Sequence, residues 1–270
     1  MCVLPHRIRS VFRVPEWTHC IRIDCMLITR RTLLASAGAA VPFAAGLAQS
    51  GAPERSPNRL KVVVAGGHPG DPECGCGGMI ARYTQLGHQV VLFYMNRGEG
   101  FCKGAEPGDC GKVRTAEAER ACQILKARAA FAGQSDGRAI VDSAHYEDFS
   151  HLIDAEKADV VFAHWPLDQH RDHRAISMLV LDAWLRGGKK PALYFYEVSG
   201  DTMMFSPAEF VDISSVEAQR RAACYAHASQ QPDKWYPGQV ELTRQRGRES
   251  GFPQAEGFLR HWESKRALLP

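Results

Sequence analysis

The stretch LKVVVAGGHPGDPECGCGGMIARYTQLGHQVVLFYM, residues 60–95, decides the fold. Residues 60–66 (LKVVVAG) are an apolar, β-branched run without alternation that ends in Gly66-Gly67, the pattern of a strand covered on both faces. Residues 79–86 show helical periodicity and stop at Gly87, a helix C-terminal signal. Residues 89–95 (QVVLFYM) are a second buried strand. Working outward, the alternation continues. The spacing predicts a helix over 113–127 with Ala118, Ala121, Cys122 and Leu125 on one face, and a strand over 158–163 (ADVVFA). A helix over 173–185 carries Ile176, Leu179, Val180 and Trp184 as its apolar stripe, and 192–198 (ALYFYEV) is a further strand. From about residue 215 the chain reads as largely helical. Strands alternating with helices make βαβ units, so the expected fold class is α/β, a Rossmann-like three-layer fold with a mostly parallel sheet and helices on both faces. Its ligands belong at the carboxyl ends of the strands.

The chain has 270 residues, 45% of them hydrophobic and 23% charged, which excludes a disordered or collagen-like protein. Six of its 33 Lys and Arg, and two of its 30 Asp and Glu, fall in residues 1–48. The remainder is therefore close to neutral and has no electrostatic footprint for nucleic acid. No uninterrupted apolar run reaches the ~18 residues of a membrane span. Within 1–48, Thr29-Arg30-Arg31-Thr32-Leu33-Leu34 precedes the weakly apolar ASAGAAVPFAAGLA and a small-residue cleavage site at Gly46-Leu47-Ala48. That is a twin-arginine export signal, with Met26 as an alternative start, and implies a periplasmic or extracellular mature protein. Residues 49–58 (QSGAPERSPN) are a polar linker, and 59–270 are expected to form one domain. Cys74, Cys76, Cys102, Cys110, Cys122 and Cys224 follow the leader. Cys102 and Cys110 flank a Gly/Pro-rich loop and are the expected disulfide pair of an exported chain, whereas Cys74-Gly75-Cys76 is too tightly spaced for a zinc knuckle and reads as packing.

Chemistry concentrates after two strands. The loop after the first holds His68 and Asp71 among glycines. It lacks the GxGxxG spacing, since Ile80 stands where the third glycine is required, and it has no Walker lysine. After strand 158–163 comes His164-Trp165-Pro166-Leu167-Asp168-Gln169-His170-Arg171-Asp172-His173. Two strand ends thus bring imidazoles and carboxylates to one sheet edge, a three-ligand set with room for water, as in catalytic metal sites. Asp172 alone could equally be a helix cap. His164 ends a strand beside this cluster and is a candidate to line the pocket. No GxSxG elbow supports a serine hydrolase.

On VVVAGGHPGDPECGCGG…LGHQVVLFYMNRGEG, with VRTAEAERA, SDGR and DQHRDHR downstream, the chain resembles the PIG-L/LmbE family of zinc-dependent N-deacetylases over about residues 60–258. The resemblance implies a hydrolase removing acetyl from an N-acetylated amino sugar or related N-acyl compound, acting on a small molecule or glycan. It implies Zn²⁺ held by His68, Asp71 and His173; iron(II) suits the same two-His-one-carboxylate set. It also implies His170 as oxyanion stabiliser or proton donor, Asp172 orienting it, Arg114 and Asp136 lining the substrate pocket, and assembly as a homo-oligomer. The sequence departs from the family's HPDDE loop: Gly70 stands where the family has its general base, and Pro72 where it has glutamate. Glu73 is the expected replacement base, Asp172 the alternative, and a metal-containing sugar-binding protein without hydrolysis is the competing function.

Overall fold

The computed structural model describes residues 59–106 and 108–270; the leader, its cleavage site and the linker lie outside the described residues. Along the chain run β1 (Lys61–Gly66), α1 (Asp71–Gln85), β2 (Gln89–Tyr94), α2 (Cys110–Leu125), β3 (Arg128–Phe131) and α3 (Ser143–Glu156). Then come β4 (Val160–His164), α4 (Arg171–Arg186), β5 (Ala192–Tyr196), β6 (Glu209–Asp212), α5 (Glu217–Tyr225), α6 (Pro232–Ser250) and β7 (Ala255–Arg260), with a 3₁₀ turn at Ala228–Gln230. The seven strands stand in the order β3-β2-β1-β4-β5-β7-β6. The first five are parallel, and β7 is antiparallel to both β5 and β6.

The unalternating strand runs exist because both faces of the sheet are covered. Val62 and Val64, with Val90, Leu92 and Tyr94, face α1, α2 and α5 through Met79, Ile80, Ala118, Leu125 and Ala223. Val63 and Ala65, with Val91 and Phe93, face α3 and α4 through Phe149, Ile176, Leu179 and Trp184. A strand's period of two divides its residues between these cores, giving three layers.

Three differences from the sequence reading have physical causes. α1 begins at Asp71, eight residues before the expected helix start at 79, and takes the glycines in as helix. Glycine is required by packing: a Cβ on Gly78 would lie 2.3 Å from Ile213 Cγ2, so the bare backbone is what lets α1 approach the β6 end. β3 is only four residues long (RAAF), and α3 buries only Phe149, Ser150 and Ile153, so neither offers a strong pattern to read. The C-terminal region holds β6 and β7 as well as helices; their runs EFVD and AEGFLR contain a charge or glycine at nearly every second place, as edge pairs do.

β1 has β2 on one side and β4 on the other. Chain connections leave β1 and β4 in opposite directions, so the loops at their carboxyl ends part and open a crevice.

Candidate active site

The loop from β1 presents His68 and turns at Gly70, whose φ of +110° is a conformation open to glycine and strained for other residues, into the first turn of α1. From β4 come His164, buried Asp168, and His170 as the N-cap of α4, followed by Asp172 and His173 in its first turn. The N-termini of α1 and α4 therefore meet at the crevice, and both favour negative charge there.

Asp71 Oδ2 is the point of convergence. His68 Nδ1 lies 3.2 Å from it, His173 Nε2 3.2 Å and His164 Nε2 3.3 Å, while the His68 backbone N–H donates to it at 2.7 Å. His164 stacks on His173 with centroids 4.0 Å apart, and His170 stands 4.6 Å from His68 and 4.8 Å from His173. Ligand-capable atoms of His68, His170 and His173 lie within 4.8 Å of one another, as do those of Asp71, His164 and His173, and those of His68, Asp136 and Asp172. Imidazole and carboxylate donors at this spacing suit zinc or iron(II).

A carboxylate absent from the expected set orients the cluster. Asp168, fully buried, accepts at Oδ1 from the His170 backbone N–H at 2.8 Å and sits 3.1 Å from His173 Nδ1; Thr202 Oγ1 donates to Oδ2 at 2.9 Å. A carboxylate only accepts, so His173 keeps a proton on Nδ1 toward Asp168, and Nε2, facing Asp71, is the nitrogen it would offer a metal once that atom's own proton is displaced, the arrangement that supports a metal-binding histidine. His170 is fixed in the opposite tautomer: its Nδ1 accepts from the Asp172 backbone N–H at 3.2 Å, leaving Nε2–H as its donor.

Charges are strongly coupled here. Burial pushes the Asp71 carboxyl up, but His173 and His68 outweigh it and hold Asp71 well below the usual range. Burial works against charge on His173 too, yet Asp71 and Asp168 raise it to about 9. His68 is likewise raised well above its ordinary value, with burial opposing and Asp71, Asp136 and Asp172 prevailing. Burial and the neighbouring His173 press His164 down to about 4. A hydrogen bond with His68 is the largest influence holding Asp136 down at about 2.

The cluster forms one wall of a cleft of about 360 Å³, lined also by Arg114, Asp136, Trp235 and His227. Arg114 is buried and braces the site, donating through Nη2 to Pro69 O and through Nη1 to Gly98 O. Asp136 lies 3.2 Å from His68 Nε2 and accepts from the Gly100 N–H at 2.8 Å.

Four expectations are corrected. Glu73, expected as the base, lies behind the cleft wall: fully buried, it accepts from Tyr94 Oη at 2.7 Å and the Gly70 N–H at 3.1 Å and pairs with His227 Nε2 at 2.9 Å. As the first-turn carboxylate of α1 it closes a capping arrangement. His164 is fully buried behind His173 and does not line the cleft. The Asp172 carboxylate does not hold His170; Oδ2 takes Asn96 Nδ2 at 3.1 Å, the Gly137 N–H at 2.7 Å and His68 Nε2 at 3.2 Å, and Oδ1 is buried without a partner among the described residues. Cys102 and Cys110 are free thiols, the Cys110 Sγ reaching Cys102 O at 4.0 Å.

Asp168 was legible in principle, standing in the same strand-end run as His170 and His173. His227 had no such signal, because only the packing of α5 against α1 brings it to the loop.

Residues 62–184 match the family model described as PIG-L: GlcNAc-PI de-N-acetylase. The conserved protein TT1542 from Thermus thermophilus is similar at 28% identity, with 77% of this chain and 100% of that one covered and a TM-score of 0.67. The N,N'-diacetylchitobiose deacetylase from Pyrococcus horikoshii shares the fold at 21% identity, covering 76% and 84%, with a TM-score of 0.68. GalB, the 4-carboxy-2-hydroxymuconate hydratase from Pseudomonas putida KT2440, does so at 20%, covering 78% and 100%, with a TM-score of 0.66. One architecture thus hosts a deacetylase and a hydratase, and the reaction has to be argued from this chain's residues. Over residues 62–184, which hold both strand-end motifs, the chain is thus similar to the PIG-L family model.

Proposed function

We propose that the protein is a metal-dependent amide hydrolase that removes an acetyl group from an N-acetylated amino sugar or related N-acyl compound. The observation that carries this reading is the convergence of His68, Asp71 and His173, with the His173 tautomer set by Asp168, at the wall of a cleft that also presents His170. These three residues would hold zinc, or iron(II), which supplies a Lewis acid for the amide carbonyl and lowers the pKa of a water to about 7. His170 donates through Nε2–H to the carbonyl oxygen as negative charge builds on it, and its neutral imidazole suffices because the Asp172 N–H already occupies Nδ1. Arg114 holds the loop bearing His68 through Pro69 O, and Asp136 and Asp172 fix the His68 ring from its other side. The cleft is of a size for a sugar-like small molecule or the end of a glycan, with Trp235 as an apolar wall.

Acetate release from a panel of N-acetylated sugars by zinc-loaded protein tests the reading, with chelator-treated protein and His173→Ala as controls. Turnover that disappears in both controls supports it. The absence of a base at Gly70 favours one rival, a metal-containing sugar-binding protein; saturable sugar binding without acetate release would favour that rival. Twin-arginine export of a mature domain over 59–270 belongs to the same proposal, and a mature protein retaining Arg30 and Arg31 by N-terminal sequencing would overturn it. No helix among the described residues is long and apolar enough to cross a membrane.

A further inference from the structure

Position 70 lacks a proton acceptor, yet its surroundings contain one. A Cβ placed on Gly70 would point at His227, whose Cγ and Cδ2 would be its nearest atoms at 3.8 Å. His227 is fully buried and lines the same cleft as His68, Asp71 and His173. Its Nε2 lies 2.9 Å from Glu73 Oε1, which also accepts from Tyr94 Oη at 2.7 Å, while Glu73 Oε2 accepts from the Gly70 N–H at 3.1 Å. A carboxylate receiving three donors must take the proton of Nε2, which leaves the lone pair on Nδ1. That Nδ1 is buried and has no hydrogen-bond partner among the described residues. Buried polar atoms are ordinarily satisfied, so an orphaned imidazole lone pair in a cleft wall is an acceptor kept for a ligand or a water. A carboxylate fixing the tautomer of an imidazole whose second nitrogen is free is the logic of an oriented general base.

We propose that His227 is the general base of this chain, with Glu73 as its positioning residue, in place of an aspartate at position 70. The inference rests on the hydrolase reading. Nδ1 takes a proton from the attacking water, directly or through one water in the space above Gly70. The electron pair of that O–H bond forms the new bond to the amide carbon, and the carbonyl π pair moves onto oxygen. When that pair returns, the C–N bond breaks, its electrons go to the amine nitrogen, and the imidazolium gives its proton to that nitrogen. The water's second proton leaves the new carboxylic acid for solvent, so acetate and free amine are released and His227 is neutral again.

The test uses the full chain, zinc-loaded and carrying ¹⁵N-labelled histidine. Ring ¹⁵N spectra are expected to show His227 neutral with its proton on Nε2. Glu73→Gln is expected to move that proton to Nδ1, because the Gly70 N–H keeps the amide oxygen and the amide N–H then faces Nε2. His227→Gln, checked for wild-type zinc content and Tm, is expected to lose about 10²-fold or more in kcat for acetate release. Adding Gly70→Asp to that variant is expected to recover part of the loss. Turnover by His227→Gln within about threefold of wild type, well below the range of general-base effects, overturns the assignment and leaves the hydrolase standing. So does a wild-type His227 with its proton on Nδ1. Acetate released by Gly70→Asp but not by wild type also overturns it, whereas no release by either removes the hydrolase reading and the base with it.

Discussion

Asp168→Ala separates what orients the site from what binds in it. The side chain is fully buried and serves three donors, the His173 ring, the His170 backbone N–H and the Thr202 hydroxyl. Removing it frees His173 to place its proton on Nε2, the atom that faces Asp71. Loss of such an orienting partner typically lowers metal affinity about 10- to 100-fold, or about 1.4–2.7 kcal/mol. An opposing effect has comparable size. His173 in the metal-free chain is raised to about 9, partly by Asp168, so at pH 7 a proton must be displaced at a cost of about 3 kcal/mol. Deleting Asp168 lowers that pKa and relieves part of the competition. The two effects offset near pH 7 and cease to do so above about pH 9, where the proton has already left. Zinc affinity measured by competition with a chelating dye should therefore fall modestly at pH 7 and by the full 10- to 100-fold at about pH 9.5. Asp168→Asn, which keeps an acceptor and loses the charge, should fall between. Wild-type affinity of Asp168→Ala at pH 9.5 would refute the orienting role.

Three further outcomes are expected. The pKa of His173 in the folded, metal-free chain lies above its unfolded value of 6.5, so its stabilisation is fully present below about pH 6.5 and lost as pH rises through about 9; chelator-treated protein should show Tm falling across that window, and zinc-loaded protein should not. Gly78→Ala forces a Cβ to 2.3 Å from Ile213 Cγ2 and should destabilise by about 1–3 kcal/mol in urea titration, whereas Gly108→Ala, with nothing within 4 Å, should change little. Arg114→Met removes the charged donors to Pro69 O and Gly98 O and should cost about 1.5–3 kcal/mol of stability for one such bond, together with a fall in kcat that a nearby neutral surface substitution would not produce.

The parallel sheet was legible because its central strands are buried on both faces, which leaves unbroken runs such as VVVAG and QVVLFY in the sequence. Sheet order then follows from short right-handed connections, and it places His68, Asp71, His170 and His173 at one edge before any coordinate is known. What escaped reading depends on contacts rather than pattern. The glycines of α1 resemble a loop until Ile213 is seen against Gly78. Glu73 stands two places from Asp71, but a helix turns those positions about 200° apart, so one faces the cleft and the other the interior. His227 declares itself only through Glu73, far away in the chain, and Asp168 shows its role only once the first turn of α4 brings His173 Nδ1 to it.

The pairing of β1 with β4 sets Val62 beside Val160, and the loops and helix ends that follow deliver the proposed ligands, His68 and Asp71 after β1 and His173 after β4. Neither set can hold an ion at strength alone, so occupancy reports on long-range topology rather than on local order. A cation that binds the native chain and not the unfolded one stabilises by RT ln(1 + [M]/Kd). That free energy is available only after β1 and β4, far apart in the chain, have paired. Metal should accordingly leave the folding rate nearly unchanged and slow unfolding, acting as a latch on a finished fold rather than as its nucleus.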